Sequence, residues 1–319
     1  NIADKEMIIM NKRHFYTEKD GFYGVYWQCK KESDCAMIAM IGDDSEDYLA
    51  RTSVKWLHKF GLNVMTMSPA KKDYGHHNYP LERIEKAISW LKASGNKKIG
   101  IVGASTTGTL ALTAASYFED ITLTIGLTPS DFIWQGFMQG KKDGCKEWPI
   151  EGEFLFSYRG EPLPYMPFCY KHPEYWHVIE QETKRTGDMI NSKKLFDDSE
   201  IAHPITEDET IKIENIHGTL LLIGAKDDVL WDAAKYIQRM KKRLQERPHK
   251  CKVESIIYEY GTHFVFPESM LKMMLPVGSS LFVKIAFQSA KKHLKECQET
   301  RLDIDQHVRS VIAKWKIEK

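Results

Sequence analysis

The sequence predicts an α/β fold, a doubly wound and mostly parallel sheet with an inserted lid or cap, on three observations. Short β-rich apolar runs alternate with helical patterns from residue 22 to residue 127. The alternation lapses between 130 and 215, where Tyr, Trp, Phe, Pro and Gly are dense. It resumes at 218 and carries through to 260. One unit spanning 1–319 is expected, with 130–215 as the lid inserted within it.

The first strands are FYGVYWQC (22–29) and AMIAMI (36–41), joined by the polar KKESD and expected to pair antiparallel at an edge. Ser45 is the expected cap of a helix carrying Leu49, Trp56, Leu57 and Phe60, and Gly61 stops it before the strand LNVMTM. Pro80 then opens a helix with Leu81, Ile84, Ile88 and Leu91 on one face, closed at Gly95 and followed by the strand KKIGIV. A helix over 106–118 leads into the strand ITLTIGL (121–127). Breakers in 130–215 exclude long helices until about Glu180. After them come the strand GTLLLIGA (218–225), a helix over 231–245, the strand VESIIYEY (253–260), and terminal helices over 277–296 and 302–316.

Composition narrows the function. Hydrophobic residues are 42%, aromatic 11% and charged 28%, enough apolar material for a large core. The net charge of +1 lacks the basic excess that neutralising phosphates along nucleic acid requires. No apolar run approaches the roughly 18 residues of a membrane span, and the opening NIADKEMIIMNKRH lacks the signature of a signal peptide. A cytoplasmic protein is expected, and the start at Asn1 rather than Met points to a few residues before it. The six cysteines (Cys29, Cys35, Cys145, Cys169, Cys251, Cys297) form no CxxC pair and are expected to be reduced and mostly buried.

The segment IGIVGASTTGTLALTAA sets a Gly-rich turn between an apolar strand and a small-residue helix, a geometry used by three chemistries. A phosphate-binding P-loop needs a Lys where Thr109 stands. A dinucleotide fingerprint belongs at the first strand of its domain, with an acidic residue ending the next strand; here the next strand ends in Leu127, Thr128 and Pro129. The third is a nucleophile elbow with Ser105 at its tip, where Gly103 and Gly108 let the backbone approach closely. Thr107 occupies the second Gly position of G-x-S-x-G.

A neutral hydroxyl is a poor nucleophile, so Ser105 needs an imidazole base and a carboxylate to orient that base. On an elbow fold the chain order is Ser, acid, His. LLLIGAKDDVLWD delivers Asp227 and Asp228 after one later strand, and SIIYEYGTHFVF delivers His263 after the next. Each residue alone reads more readily as a helix cap, a turn residue or a packed loop histidine; their joint placement at three strand ends favours catalysis. Asp131, after the strand following the elbow, is a rival acid. The oxyanion would be met by the N–H of Thr106 and by one from the loop GDDSED, with Asp43 as the candidate. His76 and His77 are adjacent without metal-ligand spacing and read as a polar loop. Ser68 to Lys71 matches S-x-x-K without the accompanying motifs and reads as chance. The aromatic run Phe154 to Trp176 is expected to line an apolar substrate pocket or to pack the lid, rather than to stack bases.

With these residues in place the chain resembles the α/β-hydrolase superfamily, dienelactone-hydrolase-like, and within it the catalytic domain of acyl-CoA thioesterases and bile acid-CoA:amino acid N-acyltransferases. The resemblance is carried by GLNVMTMS, PLERIEKAISWL, GEFLFSYRGEPLPYMPF, TIKIENIHGTLLLIGAKDDVLW, YEYGTHFVFPES and IDQHVRSVIAKW. It implies that the acid is the second of a D-D-x-x-W pair, Asp228 with Trp231, and that the base follows Gly261-Thr262 as His263. The family's amino-terminal β-sandwich has no counterpart in these residues, Thr107-Gly108 replaces a Gly-Gly, and GDDSED replaces a Gly-rich oxyanion loop. Amide-forming members look to use Cys as nucleophile and hydrolytic ones Ser, so Ser105 favours hydrolysis.

The expected function is a serine hydrolase of acyl thioesters or esters, without metal or redox cofactor, acting on a small-molecule substrate and not on nucleic acid. A carboxylesterase or peptidase of the same fold, and a non-catalytic binding protein on a hydrolase scaffold, are the alternatives. Substrate, acyl acceptor and oligomeric state are left open by the sequence.

Overall fold

Apolar runs too short and too β-branched for helices become strands here because each can be buried on two faces at once. The computed structural model describes residues 12–69, 76–139, 147–275 and 278–318. Cys145, Lys71 and the opening residues lie outside them. Eight strands form the central sheet: β1 (Lys12–Phe15), β2 (Gly24–Trp27), β3 (Cys35–Met40), β4 (Asn63–Thr66), β5 (Lys98–Ala104), β6 (Ile121–Leu127), β7 (Thr219–Ala225) and β8 (Lys252–Tyr258). Their spatial order is β1-β2-β4-β3-β5-β6-β7-β8. β1 and β2 run antiparallel to their neighbours, and β3 to β8 are parallel. The doubly wound, mostly parallel sheet read from the sequence is therefore present.

β2 and β3 do not form the expected hairpin. β2 pairs with β1 and β4, while β3 lies between β4 and β5. All six residues of β3 are buried, so the strand needs a neighbour on each edge and cannot sit at the margin of the sheet.

Alternate side chains of the strands divide between two cores. On one face Ile38, Met40, Ile101 and Leu222 pack with Ile84 and Ile88 of α2 (Glu82–Ala93), Leu110 of α3 (Thr106–Tyr117) and Ile237 of α6 (Ala233–Glu246). On the other, Met37, Val64, Ile125 and Ile223 meet Trp56 and Leu57 of α1 (Tyr48–His58), Met270 of α7 (Glu268–Met274) and Val308 and Ile312 of α10 (Leu294–Ile317). The cap of α1 is Asp47, which accepts from the Ala50 N–H at 2.8 Å, and not Ser45. Ser45 is buried, and its carbonyl accepts the Thr66 hydroxyl at 2.6 Å.

Between β6 and β7 the chain forms a hairpin (Gln135–Gln139 with Glu147–Phe154), a small sheet built on Phe156–Tyr158, and the helices α4 (Glu174–Thr186) and α5 (Lys193–Ala202). Phe132, Trp134, Phe168 and Phe196 from this stretch join the same core cluster as α2, α3 and α6. The terminal helices are divided differently from the sequence reading, into α8 (Ser279–Ala286), α9 (Gln288–Lys292) and α10. The breaks fall at Phe287 and His293, neither of which is Gly or Pro; Phe287 turns inward and is 1% exposed. Among the described residues no single helix is long and apolar enough to cross a membrane.

Arg301 of α10 is fully buried and donates through Nε to Glu268 of α7 at 2.6 Å. This pair ties the last helix to the segment that follows His263. Arg301→Leu leaves the buried Glu268 carboxylate only Lys272 Nζ, at 3.4 Å, and is expected to cost about 3 kcal/mol; a lowered denaturant midpoint in equilibrium unfolding is the readout.

Candidate active site

The turn after β5 is strained in the way a nucleophile elbow requires. Ser105 has φ 59° and ψ −129°, a region an L-residue enters only when its surroundings hold it there. The Ser105 N–H donates to the Leu127 carbonyl at 2.8 Å. A Cβ on Gly103 would collide with the Thr107 carbonyl, and one on Gly108 would come within 3.0 Å of the Leu127 carbonyl oxygen. Only glycine therefore lets strand and helix approach this closely. Thr107 fits where the motif has Gly because its hydroxyl is used. It accepts from the Ala104 N–H at 3.1 Å and donates to the Met40 carbonyl at 2.6 Å, fastening the elbow to the end of β3.

Asp228 and His263 are brought together. His263 Nδ1 lies 2.8 Å from Asp228 Oδ2 and 3.0 Å from Oδ1, with the residues 7% and 2% exposed. Asp228 Oδ1 also accepts the Leu230 N–H at 2.9 Å. An Nδ1–H donated to the carboxylate leaves Nε2 as the lone-pair nitrogen. That Nε2 is buried and makes no hydrogen bond, so the bond that would couple it to the Ser105 hydroxyl is not made in this structure. Trp231 links the two: its ring stands edge-on to His263 at 5.1 Å and borders the same cavity as Ser105.

Asp227 has a separate task, not legible in the sequence. Its Oδ1 accepts the N–H groups of Gly261 and Thr262 at 2.9 and 2.7 Å, and its Oδ2 accepts the Ser289 hydroxyl at 2.5 Å. The adjacent carboxylates thus hold the histidine loop and the histidine ring. Thr262 at φ 59° and Thr128 at φ 45° add two more strained residues to the ends of β8 and β6. The rival acid Asp131 is excluded by geometry. Both its oxygens are bound by Arg239, at 2.5 and 2.7 Å.

Of the two expected oxyanion donors, Thr106 occupies the first position of α3, where helix geometry leaves the N–H without an intrahelical partner, and it borders the cavity. The other expected donor is engaged elsewhere in this structure. The Asp43 N–H donates to Asp47 Oδ2 at 2.7 Å, because Asp47 folds back over the loop as it caps α1. The acidic GDDSED loop is a set of internal contacts: Asp44 accepts from the Tyr23 hydroxyl, and Glu46 pairs with Lys12 and His14.

The cavity beside Ser105 has a volume of about 180 Å³ and is walled by Trp134, Phe137, Phe168, Trp176, Phe196 and Trp231 with aliphatic neighbours. Of the aromatic run, Phe168, Tyr175 and Trp176 reach it. His77 pairs with Glu153 at 2.9 Å, and His76 packs on Phe137. Among the described residues no group of three or more His, Cys, Asp or Glu is placed to hold a metal. The free thiols Cys29, Cys35, Cys251 and Cys297 are buried, and burial pushes the last up to about 12. Cys169 is exposed.

Residues 79–270 match the family described as "BAAT / Acyl-CoA thioester hydrolase C terminal". Acyl-coenzyme A thioesterase 1 of Mus musculus is 24% identical over 209 residues, 63% of this chain and 42% of that protein. The chain thus spans less than half the length of this relative. Among solved structures, an acylaminoacyl peptidase of Pyrococcus horikoshii is similar with a TM-score of 0.51 at 10% identity, covering 99% of this chain and 43% of that one. An esterase of Pyrococcus furiosus covers 95% of this chain and 97% of its own, at 14% identity and a TM-score of 0.46.

Gly103→Ala forces a methyl group into the Thr107 carbonyl and is expected to cost at least about 2 kcal/mol. Gly108→Ala, with the looser contact, is expected to cost less. Thermal unfolding midpoints of the two variants check the order.

Proposed function

The chain belongs to the BAAT / acyl-CoA thioester hydrolase C-terminal family and has an α/β-hydrolase fold, and from this we propose that it is a serine hydrolase cleaving an acyl thioester or ester. The observation that carries the reading is the buried His263–Asp228 contact at 2.8 Å, at the same sheet rim as a serine held at φ 59° beside an apolar cavity. In the proposed reaction His263 Nε2 removes the Ser105 proton as Oγ attacks the acyl carbonyl. Asp228 fixes the tautomer and stabilises the imidazolium. The Thr106 N–H meets the developing oxyanion. His263 then protonates the departing thiol or alcohol, and water, activated by the same imidazole, releases the acyl group. The absent Ser105–His263 hydrogen bond is of the kind that tightens when substrate fills the site. A second donor from the 42–43 loop requires Asp47 to release the Asp43 N–H.

A cavity of about 180 Å³ lies below the usual range of about 300–1,000 Å³ for drug-sized ligands, so the acyl group is proposed to be short or to hold one ring. One observation favours a non-catalytic binding protein: the occupied Asp43 N–H weakens the oxyanion hole. Labelling separates the two readings.

A fluorophosphonate probe is expected to label the wild type on Ser105 and to leave Ser105→Ala unlabelled; an unlabelled wild type sinks the hydrolase reading. On p-nitrophenyl esters of graded chain length, short acyl groups are expected to give the highest kcat/KM. Asp228→Asn is expected to lower kcat by about 10⁴-fold. Asp227→Ala, which loosens the loop without touching the ring, is expected to lower it by about 10²-fold.

A further inference from the structure

The helices α8 and α9 carry an apolar and basic face that the described residues leave uncovered. From Ser269 to Lys295 the sequence has five lysines (Lys272, Lys284, Lys291, Lys292, Lys295) and no Asp or Glu, in a chain whose 45 basic and 44 acidic residues otherwise balance. The excess is local and of one sign. Lys284, Lys291 and Lys292 are exposed and form no ion pair among the described residues. Carboxylates on the abutting segments do not offset them. Asp188 is buried and accepts the Gln288 N–H at 2.8 Å, Glu182 is taken by Arg185, and Glu296 lies 3.9 Å from His293.

Exposed aliphatic side chains stand among the lysines. Leu281 and Ile285, about one turn apart on α8, are 57% and 69% exposed and share its outward face. Met189, 55% exposed, extends that face, because its N–H donates to the Ala286 carbonyl at 2.7 Å. The inward side is anchored: Val283, Ala286, Phe287 and Ala290 form one cluster with Val229, Leu230 and Phe264, the neighbours in sequence of Asp228 and His263. Ile190, next after Met189, and Leu230 line the cavity beside Ser105. The face therefore adjoins the candidate site.

Composition decides between a protein and a lipid surface as its partner. Protein interfaces are depleted in Lys and enriched in Arg and aromatic residues. Met189 would suit either partner; three unpaired lysines around Leu281 and Ile285 suit lipid. At a bilayer surface aliphatic side chains enter the acyl boundary, while flexible Lys stems lift their ammonium groups to the phosphates. A neutral surface would leave that charge without a counterpart, and an anionic one attracts each Lys by about fivefold in binding. We infer that α8 and the Met189 loop dock on the surface of an anionic lipid bilayer, with Leu281, Ile285 and Met189 in the acyl boundary and Lys284, Lys291 and Lys292 at the headgroups. This does not depend on Ser105, Asp228 and His263 being catalytic.

The test is co-sedimentation of the chain with vesicles of phosphatidylcholine, alone or with about 30% phosphatidylserine. Binding to the anionic vesicles is expected to exceed binding to neutral ones by at least about tenfold at about 0.1 M salt, and to weaken at about 0.5 M. The triple variant Lys284→Glu, Lys291→Glu, Lys292→Glu is expected to bring that preference to within about twofold of one. The double variant Leu281→Ser, Ile285→Ser is expected to lower binding to anionic vesicles about tenfold. Lys30→Glu with Lys31→Glu reverses two exposed lysines before β3, at the opposite edge of the sheet, and is expected to leave binding unchanged. All these side chains are exposed, so the variants fold, and thermal midpoints check that they do. No binding to anionic vesicles, equal binding to neutral ones, or an equal loss from the Lys30 and Lys31 variant overturns the inference. A dimer in sedimentation velocity that Leu281→Ser with Ile285→Ser abolishes, without vesicle binding, assigns the face to a second copy of the chain and overturns it too.

Discussion

The site depends on one constraint, that four adjacent strands stop at the same level. Three backbone hydrogen bonds enforce it across the rim: Ser105 N–H to the Leu127 carbonyl at 2.8 Å, Thr128 N–H to the Ile223 carbonyl at 2.7 Å, and Lys226 N–H to the Tyr258 carbonyl at 2.9 Å. Each joins the end of one strand to the end of the next, so the loops carrying Ser105, Asp228 and His263 all leave the sheet at its carboxyl edge. Leaving the strands so abruptly costs left-handed backbone at Ser105, Thr128 and Thr262, about 1–3 kcal/mol each. Side chains around them offset that strain: the Thr107 hydroxyl on the Met40 carbonyl, the Trp231 indole on the Thr128 carbonyl, and the Asp227 carboxylate on the Thr262 N–H.

The stretch between β6 and β7 is fastened to the same rim rather than laid over it. At the start of α5 the N–H groups of Ser192 and Lys193 both donate to the Val229 carbonyl, at 3.1 and 3.0 Å, and Lys193 Nζ reaches Asp232 at 2.6 Å. The roof of the cavity and the loop of Asp228 are thus one mechanical unit. Arg239 extends it from α6, holding Asp131 on one side and Glu200 of α5 on the other.

Much of this was legible in the sequence, and the misses have physical causes. β5, β6 and β7 were located to within about two residues because unbroken apolar runs between Gly and polar punctuation have no other burial available. The β2–β3 pairing failed because proximity in the chain argues for a hairpin, while the two-faced burial of β3 demands a central place. Ser45 and Asp47 are both good caps; only the fold decides that Ser45 goes inside. The breaks at Phe287 and His293 carry no Gly or Pro and follow from tertiary packing. Order along the chain and position at strand ends picked out Asp228 and His263, whose contact is now visible. The division of labour between Asp227 and Asp228 and the fate of the Asp43 N–H depend on where loops turn, which residue types do not encode.

A crystal structure of the chain after reaction with a phosphonate ester tests the central claim most directly. The account predicts a phosphorus atom bonded to Ser105 Oγ, with His263 Nε2 within about 2.6–3.2 Å of Oγ or of a phosphonate oxygen and Nδ1 still on Asp228. An adduct on another residue, or a Ser105 adduct with the imidazole left out of reach, would contradict it.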